Sequence, residues 1–186
     1  MLTLMRIIFI PIFVIVWYSP LENVNVICSF IFMIAAITDF VDGYLARKLN
    51  VSSKLGAFLD PVADKLMVTV VIVLLVEKDP RMAMSIPAMI IIGREVFISA
   101  LREWMAENGV RGVVSVSWLG KFKAFGQMGA MWLLIYHDNI FITIQDTIYC
   151  ISVYQIALNL LYVALIYTIW SMVDYSWAAW KAMRTN

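Results

Sequence analysis

Residues 39–64 read DFVDGYLARKLNVSSKLGAFLDPVAD. This acidic segment carries four aspartates, two glycines and an arginine between apolar runs, in a chain of 186 residues that is 63% hydrophobic. Acidic residues inside a membrane segment, or at its mouth, are costly in free energy, so they indicate a functional site by default. We therefore take the acidic segment as the centre of the protein's chemistry.

The composition indicates a membrane protein built from α-helices. Soluble domains contain about 45–50% apolar residues, whereas this chain exceeds that range and has a mean hydropathy of +0.87. The alternating strands of an outer-membrane barrel are not evident in the sequence. The net charge of +1 gives no indication of a nucleic-acid partner. Cys28 and Cys150 lack the spacing of metal ligands, so we expect them to act as small packing residues.

Six apolar runs predict an all-α membrane protein, a single domain over residues 1–186 with a bundle of six transmembrane helices. The runs cover residues 4–18, 24–45, 58–76, 82–101, 118–136 and 148–173. Basic residues concentrate in the joins after the second and fourth runs and at the chain end, and the other turns have only Lys78 and Arg81 as cations. The positive-inside rule then places both termini and the acidic segment on the cytoplasmic side. No small-residue cleavage site follows the first run, so we expect no cleaved signal peptide.

Helical spacing groups the acidic residues. At about 100° per residue, four residues of the second run lie on one face: Asp39, Asp42, Gly43 and Ala46. Asp60 and Asp64, four residues apart, share a face of the third run. The join between the two runs is short, so we expect them to be antiparallel neighbours whose acidic faces meet.

Four close carboxylates repel one another unless a cation neutralises them. Oxygen ligands without histidine or cysteine select a hard divalent ion, Mg²⁺ or Mn²⁺. Gly43, Ala46 and Gly56 leave room for a bulky ligand, and the Arg47 guanidinium is suited to phosphate. The set predicts a metal-bridged diphosphate. The alternative is that the aspartates cap helices and pair with nearby arginine and lysine residues.

The same residues resemble the CDP-alcohol phosphotransferase family, whose signature is D-x2-D-G-x2-A-R-x8-G-x3-D-x3-D. The match has no gap and uses eight positions: Asp39, Asp42, Gly43, Ala46, Arg47, Gly56, Asp60 and Asp64. The resemblance implies that Asp39, Asp42 and Asp60 hold two metal ions with Asp64 close to them. It also implies that Asp64 is the general base. By the same resemblance, the remaining four residues shape the CDP site.

The flanking segments are similar to the branch of the family that transfers a phosphatidyl group from CDP-diacylglycerol to sn-glycerol 3-phosphate and releases CMP. These segments are Gly93-Arg94-Glu95, residues 99–106 and residues 117–123. The resemblance further implies a bacterial inner-membrane enzyme of phospholipid biosynthesis that forms a homodimer. Family members usually carry a few more residues before the segment that begins here at Leu2; this departure bears on contacts from that end and not on the chemistry.

A direct in-line displacement is the mechanism we expect, with Asp64 taking the proton from the acceptor's C1 hydroxyl. Two-step chemistry through a phospho-enzyme is the alternative, and retention of configuration at phosphorus would indicate it.

Three basic residues are candidates for binding the acceptor's phosphate: Arg94, Arg102 and Lys121. Arg94 and Arg102 are eight residues apart on one helix, so they can face one cleft, and an arginine within a membrane usually lines a polar cavity. Alternatively, Arg94 pairs with Glu95, and Arg102 and Lys121 are ordinary cytoplasm-side charges. Two further functions remain open: the same chemistry with another acceptor, such as inositol phosphate, serine or phosphatidylglycerol, and a cation-coupled carrier.

Overall fold

In a computed structural model, the chain folds into a bundle of helices with one short β-hairpin. The structure describes residues 2–49, 54–108, 118–144 and 147–185, and it describes side chains for 7–38, 41, 62–63, 65–108, 125–139, 150–181 and 184. The elements are α1 Leu2–Trp17, α2 Val24–Leu49, α3 Lys54–Lys78, α4 Met82–Glu107, α5 Trp118–Tyr136, β1 Ile140–Ile144, β2 Thr147–Ile151 and α6 Val153–Thr185.

The six predicted helices are present, but the prediction for the segment after α5 is wrong at its start. The strands β1 and β2 pair antiparallel there, with Ile140 opposite Ile151, and α6 begins only at Val153. A short apolar run fits a strand or a buried helix equally well by periodicity, and the β-branched residues of this run favour a strand. Ser152 is the N-cap residue of α6, since its Oγ accepts a hydrogen bond from the Gln155 backbone N–H at 3.4 Å.

Two helices are long and apolar enough to cross a membrane within the described part of the chain, Met82–Glu107 and Val153–Lys181. Ile7–Trp17 and Val24–Thr38 form shorter apolar helical stretches. Many large apolar side chains point outward, among them Ile15, which is 70% exposed.

The core is formed by apolar side chains from all six helices. Its fully buried members include Phe13 of α1, Cys28 of α2, Val71 of α3, Ile91 of α4, Met131 and Ile135 of α5, and Leu161 of α6. Two glycines of α5 face α6 where the two helices pack together. Gly126 lies against Ala164 and Gly129 against Leu160, and such small residues let helices in a membrane approach one another.

The turns between α1 and α2, α3 and α4, and α5 and β1 meet at one end of the bundle, where polar and aromatic residues form a turn cluster. Its members are Trp17, Tyr18, Asn25, Glu77, Lys78, Asp79, Arg81, His137 and Tyr154. Tyr18 donates a hydrogen bond to Glu77 at 2.5 Å, Lys78 donates to Asn25 at 2.7 Å, and Tyr154 donates to Asp79. The predicted grouping of these turns on one side of the bundle is therefore confirmed.

His137 is a member of this turn cluster at the end of α5. It follows α5 in the left-handed backbone region, with φ of 59°, and its ring lies edge-on to Tyr154, with centroids 5.2 Å apart. Burial lowers the pKa of His137, and the charge of nearby Lys78 lowers it further.

Candidate active site

The helices that carry the acidic segment run antiparallel. The hydrogen bond from Lys78 Nζ to Asn25 Oδ1 joins the last residue of α3 to the first turn of α2. The end of α2 and the start of α3 therefore lie at the opposite end of the bundle from the turn cluster. The backbones of Asp39 and Asp42 belong to the second half of α2, and those of Asp60 and Asp64 to the first half of α3. We call this end of the bundle the acid end.

Nine of the predicted site residues have side chains outside the described residues, so their roles stay predictions. They are Asp39, Asp42, Gly43, Ala46, Arg47, Gly56, Asp60, Asp64 and Lys121. Direct packing of α2 on α3 is likewise not among the contacts described, which join α2 to α1 and α5. The described side chains, which do not include these aspartates, contain no group of three that could hold a metal ion.

The donor set of the acidic segment fits a hard divalent cation. The backbone is helical through both acidic pairs, and spacings of three and four residues place each pair on one helical face. Four carboxylates provide only oxygen ligands, which Mg²⁺ and Mn²⁺ prefer.

Arg94 lies in α4 with 16% of its side chain exposed, and its guanidinium forms an ion pair with the neighbouring Glu95. This pair was the alternative explanation for Arg94, and it is observed. It does not satisfy the whole guanidinium, because Arg94 Nε is buried and has no hydrogen-bond partner among the described atoms. A buried donor without a partner costs free energy, so a ligand oxygen at this nitrogen would stabilise the site.

The inward face of α4 shows that Arg102 and Glu95 point toward the bundle. Buried residues on this face follow one another at spacings of four, three, seven and seven residues: Met84, Ala88, Ile91, Ile98 and Met105. Glu95 and Arg102 complete the same register, since each lies four residues after one buried residue and three before the next. Arg102 is nevertheless exposed to solvent.

Arg102 is held against α6 by Tyr175. Its Nε donates a hydrogen bond to the Tyr175 hydroxyl at 3.3 Å, and its guanidinium lies 5.5 Å from the centre of the Tyr175 ring. A cation over an aromatic face is stabilised by about 0.5–1 kcal/mol at exposed sites. Arg94 and Arg102 therefore have different partners and share none among the described residues. Sequence reasoning missed Tyr175, because nothing in the sequence pairs the two helix ends.

A third cation reaches α4 from α3. Lys65 Nζ donates a hydrogen bond to Ser99 Oγ at 2.5 Å, so the residue after Asp64 contacts α4 between Glu95 and Arg102. Sequence reasoning missed this contact as well. The only available signal was a lysine placed directly after the acidic segment.

Comparison with known proteins identifies the family. Residues 1–170 match the CDP-alcohol phosphatidyltransferase family. A Haemophilus influenzae protein named CDP-diacylglycerol–glycerol-3-phosphate 3-phosphatidyltransferase is 47% identical over 185 residues, which cover 100% of this chain and 94% of that protein. Proteins of the same name from Salmonella typhimurium and Yersinia enterocolitica are 45% and 43% identical, and the matches cover 96% and 97% of this chain and 92% and 93% of those proteins. The chain belongs to the CDP-alcohol phosphatidyltransferase family.

Proposed function

We propose that the protein transfers a phosphatidyl group from CDP-diacylglycerol to sn-glycerol 3-phosphate, which yields phosphatidylglycerophosphate and CMP. The observation that carries this proposal is the 43–47% identity, over nearly the whole chain, to proteins named for that reaction. The geometry adds support, because basic side chains on α3 and α4 lie at the same end of the bundle as the four aspartates.

The acidic segment is the proposed donor site. Its aspartates hold Mg²⁺ or Mn²⁺, in two sites, and such ions neutralise the diphosphate and the departing CMP when bound. Gly43, Ala46 and Gly56 leave space for the cytidine nucleotide, and Arg47 binds its phosphate. The residues assigned to the metal are Asp39, Asp42, Asp60 and Asp64.

Asp64 is the proposed general base. Its carboxylate accepts the proton of the acceptor's C1 hydroxyl, the hydroxyl oxygen forms a bond to the lipid-side phosphorus, and the bond from that phosphorus to the CMP oxygen breaks. A carboxylate is a weak base at neutral pH, so much of the rate enhancement comes from holding the hydroxyl in line with the phosphorus.

Arg94, Arg102 and Lys121 are the proposed ligands of the acceptor's phosphate. Arg94 supports this role with a buried Nε that lacks a described partner. Arg102 supports it with its place in the buried register of α4 and its exposure to solvent. Charge-assisted hydrogen bonds to phosphate are the strongest that these side chains form.

The six helices are proposed to span the bacterial inner membrane, with the acid end and both termini in the cytoplasm. Outward-pointing apolar side chains such as Ile15 and Trp170, which are 70% and 72% exposed, suit contact with lipid. Basic residues are concentrated at the acid end, and Trp177 and Trp180 precede Lys181 as an interfacial aromatic belt would. The homodimer that the family resemblance implies remains a prediction.

The function is tested with purified protein, CDP-diacylglycerol and a panel of acceptors, with CMP release as the measured product. We expect release with sn-glycerol 3-phosphate, loss of release on chelation with EDTA, and restoration by Mg²⁺ or Mn²⁺. Faster release with inositol phosphate or serine would assign a different acceptor. Absence of CMP release with every acceptor would contradict an enzymatic function and favour the cation-coupled carrier.

The orientation is tested with the native cysteines. Cys150 is exposed in the hairpin next to the turn cluster and Cys28 is buried, so a membrane-impermeant maleimide should label spheroplasts at Cys150 only, and Cys150→Ser should abolish labelling. Asn108 is exposed at the C-terminal end of α4. Asn108→Cys in the Cys150→Ser background should be labelled only after the membrane is opened, and labelling in intact spheroplasts would reverse the orientation.

A further inference from the structure

The Lys65 ammonium group on α3 is bound to the Ser99 hydroxyl on α4, whose single hydrogen is already donated elsewhere. Ser99 Oγ donates its one hydrogen to the Glu95 backbone carbonyl, so it meets Lys65 Nζ as an acceptor. An ammonium group has three donors, and Ser99 uses one of those on Lys65. The other two donors of Lys65 have no acceptor among the described residues.

Two described cations at the acid end, Lys65 and Arg102, have no carboxylate partner among the described residues. Arg94 is paired with Glu95. Lys65 is bonded to the neutral Ser99 hydroxyl, and Arg102 contacts the neutral hydroxyl and ring of Tyr175. No described carboxylate forms an ion pair with either cation. A partly buried cation without a counterion is costly, and this applies to Lys65. Arg102 is exposed, but it adds a second positive charge three residues along α4 from Ser99. Together the two cations favour an anionic ligand.

The spacing suits a single phosphate. Ser99 and Arg102 are three residues apart on α4, where side chains are neighbours with Cβ atoms about 5–6 Å apart. Lys65 Nζ sits on Ser99, so both cations can donate to oxygens of the same phosphate group. Together they carry a charge of +2, which matches a phosphomonoester dianion.

We propose that Lys65 is a further ligand of the acceptor's phosphate and that Ser99 is the residue that positions it, an inference that rests on the proposed function. Lys65 directly follows Asp64, so a phosphate held by Lys65 places the rest of the acceptor near the proposed base. The acceptor's two ends are thereby bound by adjacent residues of α3. A phosphorylated acceptor is then selected over a neutral alcohol by a charge that serine or glycerol cannot satisfy.

The competing role for Lys65 is neutralisation of the aspartates that flank it in sequence. The two roles predict different results. A phosphate ligand sets the affinity for sn-glycerol 3-phosphate. A counterion of the aspartates sets the concentration of Mg²⁺ needed for half-maximal activity, since removing a positive charge beside the metal ligands strengthens cation binding.

The experiment compares purified full-length wild type, Lys65→Met and Ser99→Ala in steady-state kinetics and in equilibrium dialysis of labelled sn-glycerol 3-phosphate without donor lipid. Loss of one charge-assisted hydrogen bond, about 1.5–3 kcal/mol, corresponds to a change of about 10- to 100-fold. We expect Lys65→Met to raise both the KM and the dissociation constant for sn-glycerol 3-phosphate by that factor. Ser99→Ala should raise both by about 2- to 5-fold, and KM for CDP-diacylglycerol and the Mg²⁺ requirement should stay within about twofold.

The matched control is Lys78→Met. Lys78 ends the same helix, and its Nζ also donates to a neutral partner, Asn25, but it lies in the turn cluster. We expect its constants for both substrates to equal those of wild type.

Each outcome separates the two proposals. If the wild type is active and binds sn-glycerol 3-phosphate but Lys65→Met and Ser99→Ala bind it as well as wild type does, the inference about Lys65 is wrong and the proposed function stands. A shift in the Mg²⁺ requirement of Lys65→Met without a change in acceptor affinity would also overturn it. A wild-type protein that neither binds sn-glycerol 3-phosphate nor releases CMP would overturn both. Ser99→Ala keeps the lysine, so it tests the inference even if Lys65→Met does not fold.

Discussion

Asp79 should be the residue on which the stability of the turn cluster depends. It accepts hydrogen bonds from Arg81 Nε at 2.6 Å, from an Arg81 terminal nitrogen at 2.9 Å and from the Tyr154 hydroxyl. These contacts tie the turn between α3 and α4 to the first turn of α6. The perturbation is Asp79→Ala, which removes every one of them.

Arg81 and Tyr154, the two partners of Asp79, should contribute unequally to the free energy of unfolding. Arg81 is 69% exposed, so water screens its ion pair with Asp79 and the pair should contribute little to stability. Asp79 itself is only 12% exposed, and Tyr154 is partly buried, so their bond to a charged acceptor should contribute about 1.5–3 kcal/mol. We therefore expect Asp79→Ala to lower the free energy of unfolding by about 2–4 kcal/mol, and Arg81→Met to lower it much less.

A double-mutant cycle measures the Tyr154 contribution. The free energy of unfolding is determined by titration with SDS in mixed micelles for Asp79→Ala, Tyr154→Phe and the double variant, with Arg81→Met as the control. We expect a coupling energy of about 1–2 kcal/mol between Asp79 and Tyr154, with kinetic constants unchanged because the cluster lies at the opposite end from the proposed site. Additive effects in the double variant, or an Arg81→Met as destabilised as Asp79→Ala, would refute this account.

Three further predictions follow from other parts of the molecule. Hydrogen bonds from Arg81 hold the pKa of Asp79 at about 2, below the value of about 3.9 in the unfolded chain. The stabilisation from ionised Asp79 is therefore fully present above pH 3.9 and is lost as the pH falls through 2. In SDS titrations between pH 4 and pH 2, the free energy of unfolding should fall less in Asp79→Ala than in wild type. Tyr175→Phe keeps the ring over Arg102, so KM for sn-glycerol 3-phosphate should rise less than about threefold, whereas Tyr175→Ala should raise it more; equal values would show that the ring does not position Arg102. Met131 is fully buried, so Met131→Ala should lower the free energy of unfolding in the same titration by about 2–5 kcal/mol, and an unchanged value would show that the α5 core repacks.

The helical architecture could be predicted from the sequence because apolar runs near the length of a bilayer span have few alternatives. The fifth run, 118–136, coincides with α5. The prediction failed at the sixth run, where the hairpin and α6 both draw on apolar residues. Periodicity over five residues does not separate strand from helix, and only pairing of Ile140 with Ile151 across the hairpin decides it.

The sequence by itself determined the family and the proposed chemistry of the acid end. The spacing of Asp39, Asp42, Asp60 and Asp64 follows from the chain alone, since residues three or four apart share a helical face wherever the helix lies. The resemblance to the family rests on the same residues and their spacing.

Only the tertiary structure decided which helices meet around that chemistry. That Lys65 reaches Ser99 and that Arg102 rests on Tyr175 depends on how α3 and α6 pack against α4, and contacts between residues 34 or 73 positions apart leave no local signal in the sequence. The inward register of Arg102 also appears only once burial shows which face of α4 meets the bundle. In the proposed function the acidic segment specifies the reaction, whereas the packing of α3, α4 and α6 determines which cations can select the acceptor.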